Sequence, residues 1–188
     1  MIRIAIFASG SGSNAEKICA HFKSHESIEI AVVLTNNPEA GVIKRARKFH
    51  IPTIVFDRHN FNESEKVLDI LVKLEIDWVI LAGFMMLIPE NMTKQFEGKM
   101  LNIHPALLPK YGGKGMYGHF VHEAVLAAGE NQSGITIHQV NERYDEGNIL
   151  FQASCNIVST DNAEDIAQKV QVLEHLHYPQ VIEKTILG

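Results

Sequence analysis

The sequence predicts an α/β fold, a doubly wound and mostly parallel sheet with helices on both faces. Three observations predict it. Strand-like and helix-like segments alternate along the chain, the pattern of right-handed βαβ crossovers. Several strand-like segments are continuously apolar, as expected of strands covered on both faces. The first of them also runs into a Ser/Gly turn that opens a helix.

Taken in order, residues 2–8 are an apolar run and form the first buried strand. A helix follows over Ser13–Phe22, then a strand over 28–34 and a helix over 39–49 with a basic stripe of Lys44, Arg45, Arg47 and Lys48. Residues 53–56 form a short strand, 63–74 a helix and 78–81 another buried strand. A short helix near 89–96 leads to the strand that carries Asn102 and His104. Beyond it lie a glycine-rich loop, a helix over 121–128, β-rich runs at 135–140 and 149–157, and a closing helix from 163 to about 186. No repeat, low-complexity tract or linker interrupts this series, so residues 1–188 are expected to be one catalytic domain.

Composition narrows the function. With 46% apolar residues the chain can bury a real core, and a net charge of −5 with pI near 6.0 argues against a nucleic-acid binder. No apolar stretch is long enough to span a membrane, and the N-terminus lacks the apolar region and cleavage site of a signal peptide. Cys19 and Cys155 have neither CxxC nor metal-ligand spacing and read as reduced thiols of a cytoplasmic protein. No His/Cys/Asp cluster has ligand spacing, so no metal is expected.

Asn102-Ile103-His104-Pro105 follows the apolar pair Met100-Leu101. The period of two puts Asn102 and His104 on one face of a strand that Pro105 ends. An amide that cannot ionise and an imidazole that can are together suited to an oxygen that turns negative during acyl transfer. In Tyr144-Asp145-Glu146-Gly147 a carboxylate sits in a turn from which it could tune that histidine. The plainer alternative is a strand-end Asn that caps a turn beside a half-buried His.

The first strand leads through Ser9-Gly10-Ser11-Gly12-Ser13-Asn14 into a helix. Glycines allow a tight turn that aims several N–H groups at one point, and the helix N-terminus adds partial positive charge. With Ala15 the run meets the loose GxGxxA dinucleotide pattern, but that reading needs a carboxylate at the end of the second strand. Leu34-Thr35-Asn36-Asn37 has none, which favours a phosphate monoester over NAD. A merely structural turn is the third possibility.

These pieces occur together in a known order. Ser9-Gly10-Ser11-Gly12-Ser13-Asn14, Leu81-Ala82-Gly83-Phe84-Met85, Leu101-Asn102-Ile103-His104-Pro105-Ala106-Leu107-Leu108-Pro109, Asp145-x-Gly147 and Glu174-His175-x-x-Tyr178-Pro179 are all present. In them the chain resembles the phosphoribosylglycinamide formyltransferase family, over residues 2 to about 182. The Asn-Ile-His-Pro run is shared with the wider folate formyltransferase and hydrolase superfamily, and the Gly-Ser-Asn loop points to the glycinamide ribonucleotide branch.

The resemblance implies a formyltransferase-like Rossmann variant. It would move formyl from the cosubstrate 10-formyltetrahydrofolate to the amine of glycinamide ribonucleotide, in purine biosynthesis. Gly12, Ser13, Asn14 and Gln171 would hold the substrate phosphate, and Glu174 the glycinamide and ribose end. Met85, Met86, Leu87 and Ile88 would line the pterin pocket, with Asn102 touching folate and formyl oxygen. His104 would be the catalytic acid and Asp145 the carboxylate that keeps it protonated, while His138 would face the site. Without the resemblance, the Met-Met-Leu-Ile stripe reads as core and Glu174 as a solvated charge. Small-molecule substrates are implied, with no nucleic acid or membrane, in a monomer or homodimer.

Departures are local. Four glycines in the seven residues 112–118 make the loop after Pro109 richer in glycine than the common pattern and suit it to a mobile flap, which leaves the register of His119 and His122 open. Met86, and a position near Ser64, replace an Arg common in relatives at the folate tail. Competing readings are a formyltetrahydrofolate hydrolase, a methionyl-tRNA formyltransferase, an NAD oxidoreductase and a non-catalytic sugar-phosphate-binding module. The first two normally carry an extra domain, for which a strand starting at Ile2 and an end at Gly188 are expected to leave no room.

Overall fold

The apolar runs become buried strands. In β1 (Ile2–Phe7), residues Ile4, Ala5, Ile6 and Phe7 are completely buried. β1 pairs in parallel with β2 (Ile28–Thr35), Ile6 opposite Val33, and β2 pairs in parallel with β3 (Thr53–Val55). On its other side β1 pairs in parallel with β4 (Trp78–Leu81), Ile6 opposite Ile80. Arg3 fixes this edge through its N–H to Asp77 at 2.8 Å, its Nε to the Leu74 carbonyl at 2.8 Å and an ion pair with Glu29 at 3.0 Å.

Parallel neighbours require crossovers, supplied by α1 (Ser13–Phe22), α2 (Gly41–Lys48), α3 (Arg58–Asn62) and α4 (Lys66–Lys73). The expected helix over 63–74 is shorter, and α3 precedes it as an element the sequence reading did not anticipate. Its cause is local: Asp57 Oδ1 accepts the Asn60 N–H at 2.7 Å, an N-cap that turns Phe61 inward. Phe61 then packs with Phe56 at 5.0 Å and Phe84 at 5.4 Å between ring centroids, and Phe84 with Phe7 at 5.3 Å. α5 (Glu90–Gln95) leads to β5 (Met100–His104).

After β5, α6 (His119–Ala127) precedes an antiparallel pair, β6 (Gln132–Gln139) and β7 (Ile149–Asn156). β6 is buried along nearly its whole length and begins three residues before the expected run at 135–140. α7 (Ala163–Leu187) begins in a capping box, Asn162 accepting from Asp165 N–H and Asp165 accepting from Asn162 N–H, and runs on through a buried Pro179. The seven strands are ordered β3-β2-β1-β4-β5-β6-β7, mostly parallel as expected. The structure, a computed structural model, describes residues 1–188, which divide into two compact units, Met1–Leu101 and Asn102–Gly188. No helix is long and apolar enough to cross a membrane.

The β6–β7 pairing is tested by Gly134, whose partner in register is Ser154. A Cβ there would lie 2.0 Å from the Ala153 carbonyl oxygen and 2.8 Å from Leu107 Cδ2. Gly134→Ala is expected to cost about 1–3 kcal/mol of stability, as overpacking does. A shifted denaturant midpoint would show this, and an unshifted one would contradict the register.

Candidate active site

β5 delivers Asn102 and His104 on one face, as the period of two requires, with His104 almost entirely buried. The turn that follows is clamped by side chains from the antiparallel pair. Thr136 Oγ1 donates to the Ala106 carbonyl at 2.7 Å and accepts the Leu108 N–H at 3.0 Å, and Gln152 Nε2 donates to the Leu108 carbonyl at 3.0 Å. Buried polar groups satisfied in this way fix the position of the strand end.

Asp145 faces these residues. Its backbone is left-handed, at φ 56, and its Oδ2 accepts the Gly113 N–H at 2.9 Å. Two glycines make room for it. A Cβ on Gly112 would come within 2.5 Å of Leu108 Cδ2 and 3.3 Å of Asp145 Cβ, and one on Gly147 within 1.7 Å of the Gln139 carbonyl oxygen. His104 Nδ1 lies 3.5 Å from Asp145 Oδ2 while its Nε2 is 2.7 Å from the Tyr111 carbonyl. His138 Nε2 lies 3.5 Å from Asp145 Oδ1 and 3.1 Å from Asn102 Nδ2, and its Nδ1 is 2.8 Å from the Gln139 carbonyl.

These contacts assign protons. His138 donates from Nδ1 to a carbonyl, so its Nε2 is free to accept from the Asn102 amide. His104 meets acceptors at both ring nitrogens, an arrangement that suits the imidazolium. Burial nevertheless holds the His104 pKa below its ordinary value, although Asp145 and the Tyr111 carbonyl act upward and His138 again downward. Asp145 thus acts on this pKa in the upward direction, and burial outweighs it. Asp145 itself is pushed up by burial and pulled further down by His138, His104 and the Gly113 N–H, so it remains a carboxylate.

The Ser/Gly loop belongs to the first unit. Gly12 is left-handed at φ 75 and begins α1 as its N-cap, and a Cβ there would strike Val42 at 2.5 Å. Gly12 and Asn14 are buried and Ser13 half-buried. Arg45 Nε donates to the Ser11 carbonyl at 2.8 Å, and its guanidinium pairs with Glu16. Part of the basic stripe on α2 is thereby spent on holding the loop. Ser9 Oγ donates to Asn36 Oδ1 at 2.7 Å and accepts the Met85 N–H at 3.0 Å, which joins the loop to the turn after β4.

Of the 85–88 stripe, Met85 and Leu87 are exposed, 53% and 43%, Met86 is half-buried and Ile88 belongs to the core. A stripe that was wholly core would not show two such residues. Gln171 is exposed and Glu174 half-buried, three residues apart on one face of α7. No group of three or more His, Cys, Asp and Glu side chains is placed to hold a metal ion. The second unit therefore brings Asn102, His104 and Asp145 together. It adds His138, the Tyr111 carbonyl and the Gly113 N–H, of which the last two are backbone groups that no motif announces.

The formyl transferase family profile matches residues 2–182. The chain belongs to the formyl transferase family. It is 40% identical over 192 residues to the chloroplastic phosphoribosylglycinamide formyltransferase of Arabidopsis thaliana, across 96% of this chain and 64% of that protein. The phosphoribosylglycinamide formyltransferase of Bacillus subtilis is 36% identical, across 100% and 96%. Among solved structures, glycinamide ribonucleotide transformylase 1 from Geobacillus kaustophilus superposes with a TM-score of 0.90 at 34% identity, covering all of both chains. The chain thus spans less than two thirds of that plant relative and 96% of the Bacillus subtilis one.

Asparagine tolerates the left-handed region, so Asp145→Asn removes the charge without new backbone strain. Because Asp145 acts to raise the His104 pKa, its loss is expected to move the titration midpoint of His104 down, read by NMR of labelled imidazoles. An unmoved midpoint would mean that the carboxylate orders the Gly113 turn without acting on the histidine.

Proposed function

We propose that this chain moves the formyl group from 10-formyltetrahydrofolate to the amine of glycinamide ribonucleotide; its relatives are named phosphoribosylglycinamide formyltransferases, and the folate donor is this reading's own addition. The observation that carries this reading is the constellation of Asn102 and buried His104 on β5 with Asp145 from the turn between β6 and β7. In the reaction the neutral amine attacks the formyl carbon, a C–N bond forms, and negative charge gathers on the formyl oxygen. Asn102 Nδ2–H donates to that oxygen, worth on the order of 3 kcal/mol by analogy with single oxyanion donors, and the His104 imidazolium, whose ring nitrogens face Tyr111 and Asp145, acts on it through its charge. The proton lost by the amine is returned to the departing folate nitrogen through His104 or a water it orients. The C–N bond to folate breaks, leaving tetrahydrofolate and the N-formylated amine.

A histidine whose cation is disfavoured by burial suits this sequence. The charge that develops on the oxygen supplies what the resting site lacks, so stabilisation is greatest in the transition state. Asp145 offsets part of the burial beforehand. Gly12, Ser13 and Asn14 would take the ribonucleotide phosphate on their N–H groups and α1 N-terminus, with Gln171 as a further donor and Glu174 on the glycinamide and ribose end. The exposed Met85 and Leu87, with Met86 and Ile88, would form the pterin wall. Residues 1–188 would act as a single catalytic domain.

The test is purified protein with both substrates, followed by the change in folate absorbance. Transfer that requires the ribonucleotide supports the proposal, and folate turnover without it would replace the proposal with a hydrolase. Within this reading Gly12→Val, which meets Val42 and disfavours φ 75, is expected to weaken ribonucleotide binding tenfold or more, roughly 1.4 kcal/mol, with folate binding nearly unchanged. Equal ribonucleotide affinity by calorimetry would remove the phosphate from this loop.

A further inference from the structure

The carbonyl beside His104 Nε2 belongs to Tyr111, a residue with a Cβ that is nonetheless held at φ 57. Such a conformation persists only where the surroundings enforce it. Here the enforcement comes from the far end of the side chain. Tyr111 Oη donates to Glu130 Oε1 at 2.9 Å, and Lys110 Nζ holds the same oxygen at 2.8 Å. The ring packs on the buried cluster of Ala106, Val121 and Val125. The contact joins a phenol to a carboxylate: burial and Glu130 keep the Tyr111 pKa up, and Lys110 and Tyr111 keep that of Glu130 down. Two residues further on, the Gly113 N–H holds Asp145. Residues 111–113 therefore grip both members of the His104–Asp145 pair by backbone groups alone.

We propose that the Tyr111–Glu130 contact is a positioning device for formyl transfer, which locks the Tyr111 carbonyl against His104 Nε2 and so fixes the orientation and charge of the imidazole from outside the site. The proposal rests on the reading of His104 as the proton donor of that reaction. Tyr111 and Glu130 are positioning residues, since the side chain of neither touches His104. The charged and titratable groups around His104 are Asp145, His138 and, from α6, His122; those around Tyr111 are Glu130 and Lys110.

The test compares Tyr111→Phe, Glu130→Leu and Glu130→Gln in the full chain, with the His104 midpoint read by NMR beside kcat and KM for both substrates. Tyr111→Phe loses only the hydroxyl, and Glu130→Leu loses its acceptor together with the Lys110 ion pair. Both are expected to move the His104 midpoint down and to lower kcat about tenfold or more, as small misplacements of catalytic groups do. KM is expected to stay within about twofold, the pattern of an interaction lost from the transition state. Glu130→Gln keeps an acceptor oxygen without the charge and is expected to restore most of kcat and the midpoint. A lower kcat with an unmoved midpoint, or a raised KM with kcat intact, would overturn the proposal by showing that the contact merely orders the loop. If the unaltered protein transfers no formyl, the functional reading falls, while the midpoint shifts still decide the linkage. Should Tyr111→Phe not fold, Glu130→Leu and Glu130→Gln decide it between them.

Discussion

A carboxylate left with 11% of its side chain in contact with solvent must be answered by the groups around it, because an unpaired buried charge is strongly destabilising. For Asp145 the answer comes from a backbone N–H at Gly113, an amide at Asn102 and two imidazoles, His104 and His138. Each of these is placed by something else. β5 carries Asn102 and His104, β6 carries His138, and the turn through Gly112 and Gly113 exists only because no Cβ fills the space beside Leu108. The second unit is thus organised around one negative charge.

That arrangement sets up a balance more than a fixed state. Burial disfavours the His104 cation, while Asp145 and the Tyr111 carbonyl favour it. In the proposed reaction the formyl oxygen favours the cation only while it carries charge, so the stabilisation is greatest in the transition state. A histidine held permanently cationic would bind ground state and transition state more nearly alike. His138, held with Nδ1 2.8 Å from the Gln139 carbonyl, keeps the Asn102 amide oriented through its Nε2 at 3.1 Å.

The fold was legible because buried parallel strands are written as unbroken apolar runs, as in β1 and β2, and helices as amphipathic stretches between them. What escaped was short or depended on the backbone. α3 has only five residues and owes its existence to the Asp57 cap and the space for Phe61 among three other rings. The site's side chains were legible from Asn102, His104 and Asp145, whose types and order carry the family resemblance. Its net electrostatics were not, since burial of His104 is a property of packing. Nor were Tyr111 and Gly113, which act through a carbonyl and an N–H that every residue possesses.

The measurement closest to the central claim is the protonation of His104, read by imidazole nitrogen NMR across pH, in the free protein and with a bound mimic of the tetrahedral formyl-transfer intermediate. The account predicts a midpoint below that of free histidine in the empty site. It predicts an upward shift, to an imidazolium at neutral pH, once an oxyanion sits against Asn102 and His104. A His104 that stays neutral with the mimic bound, or that is already cationic at neutral pH without it, would contradict the account.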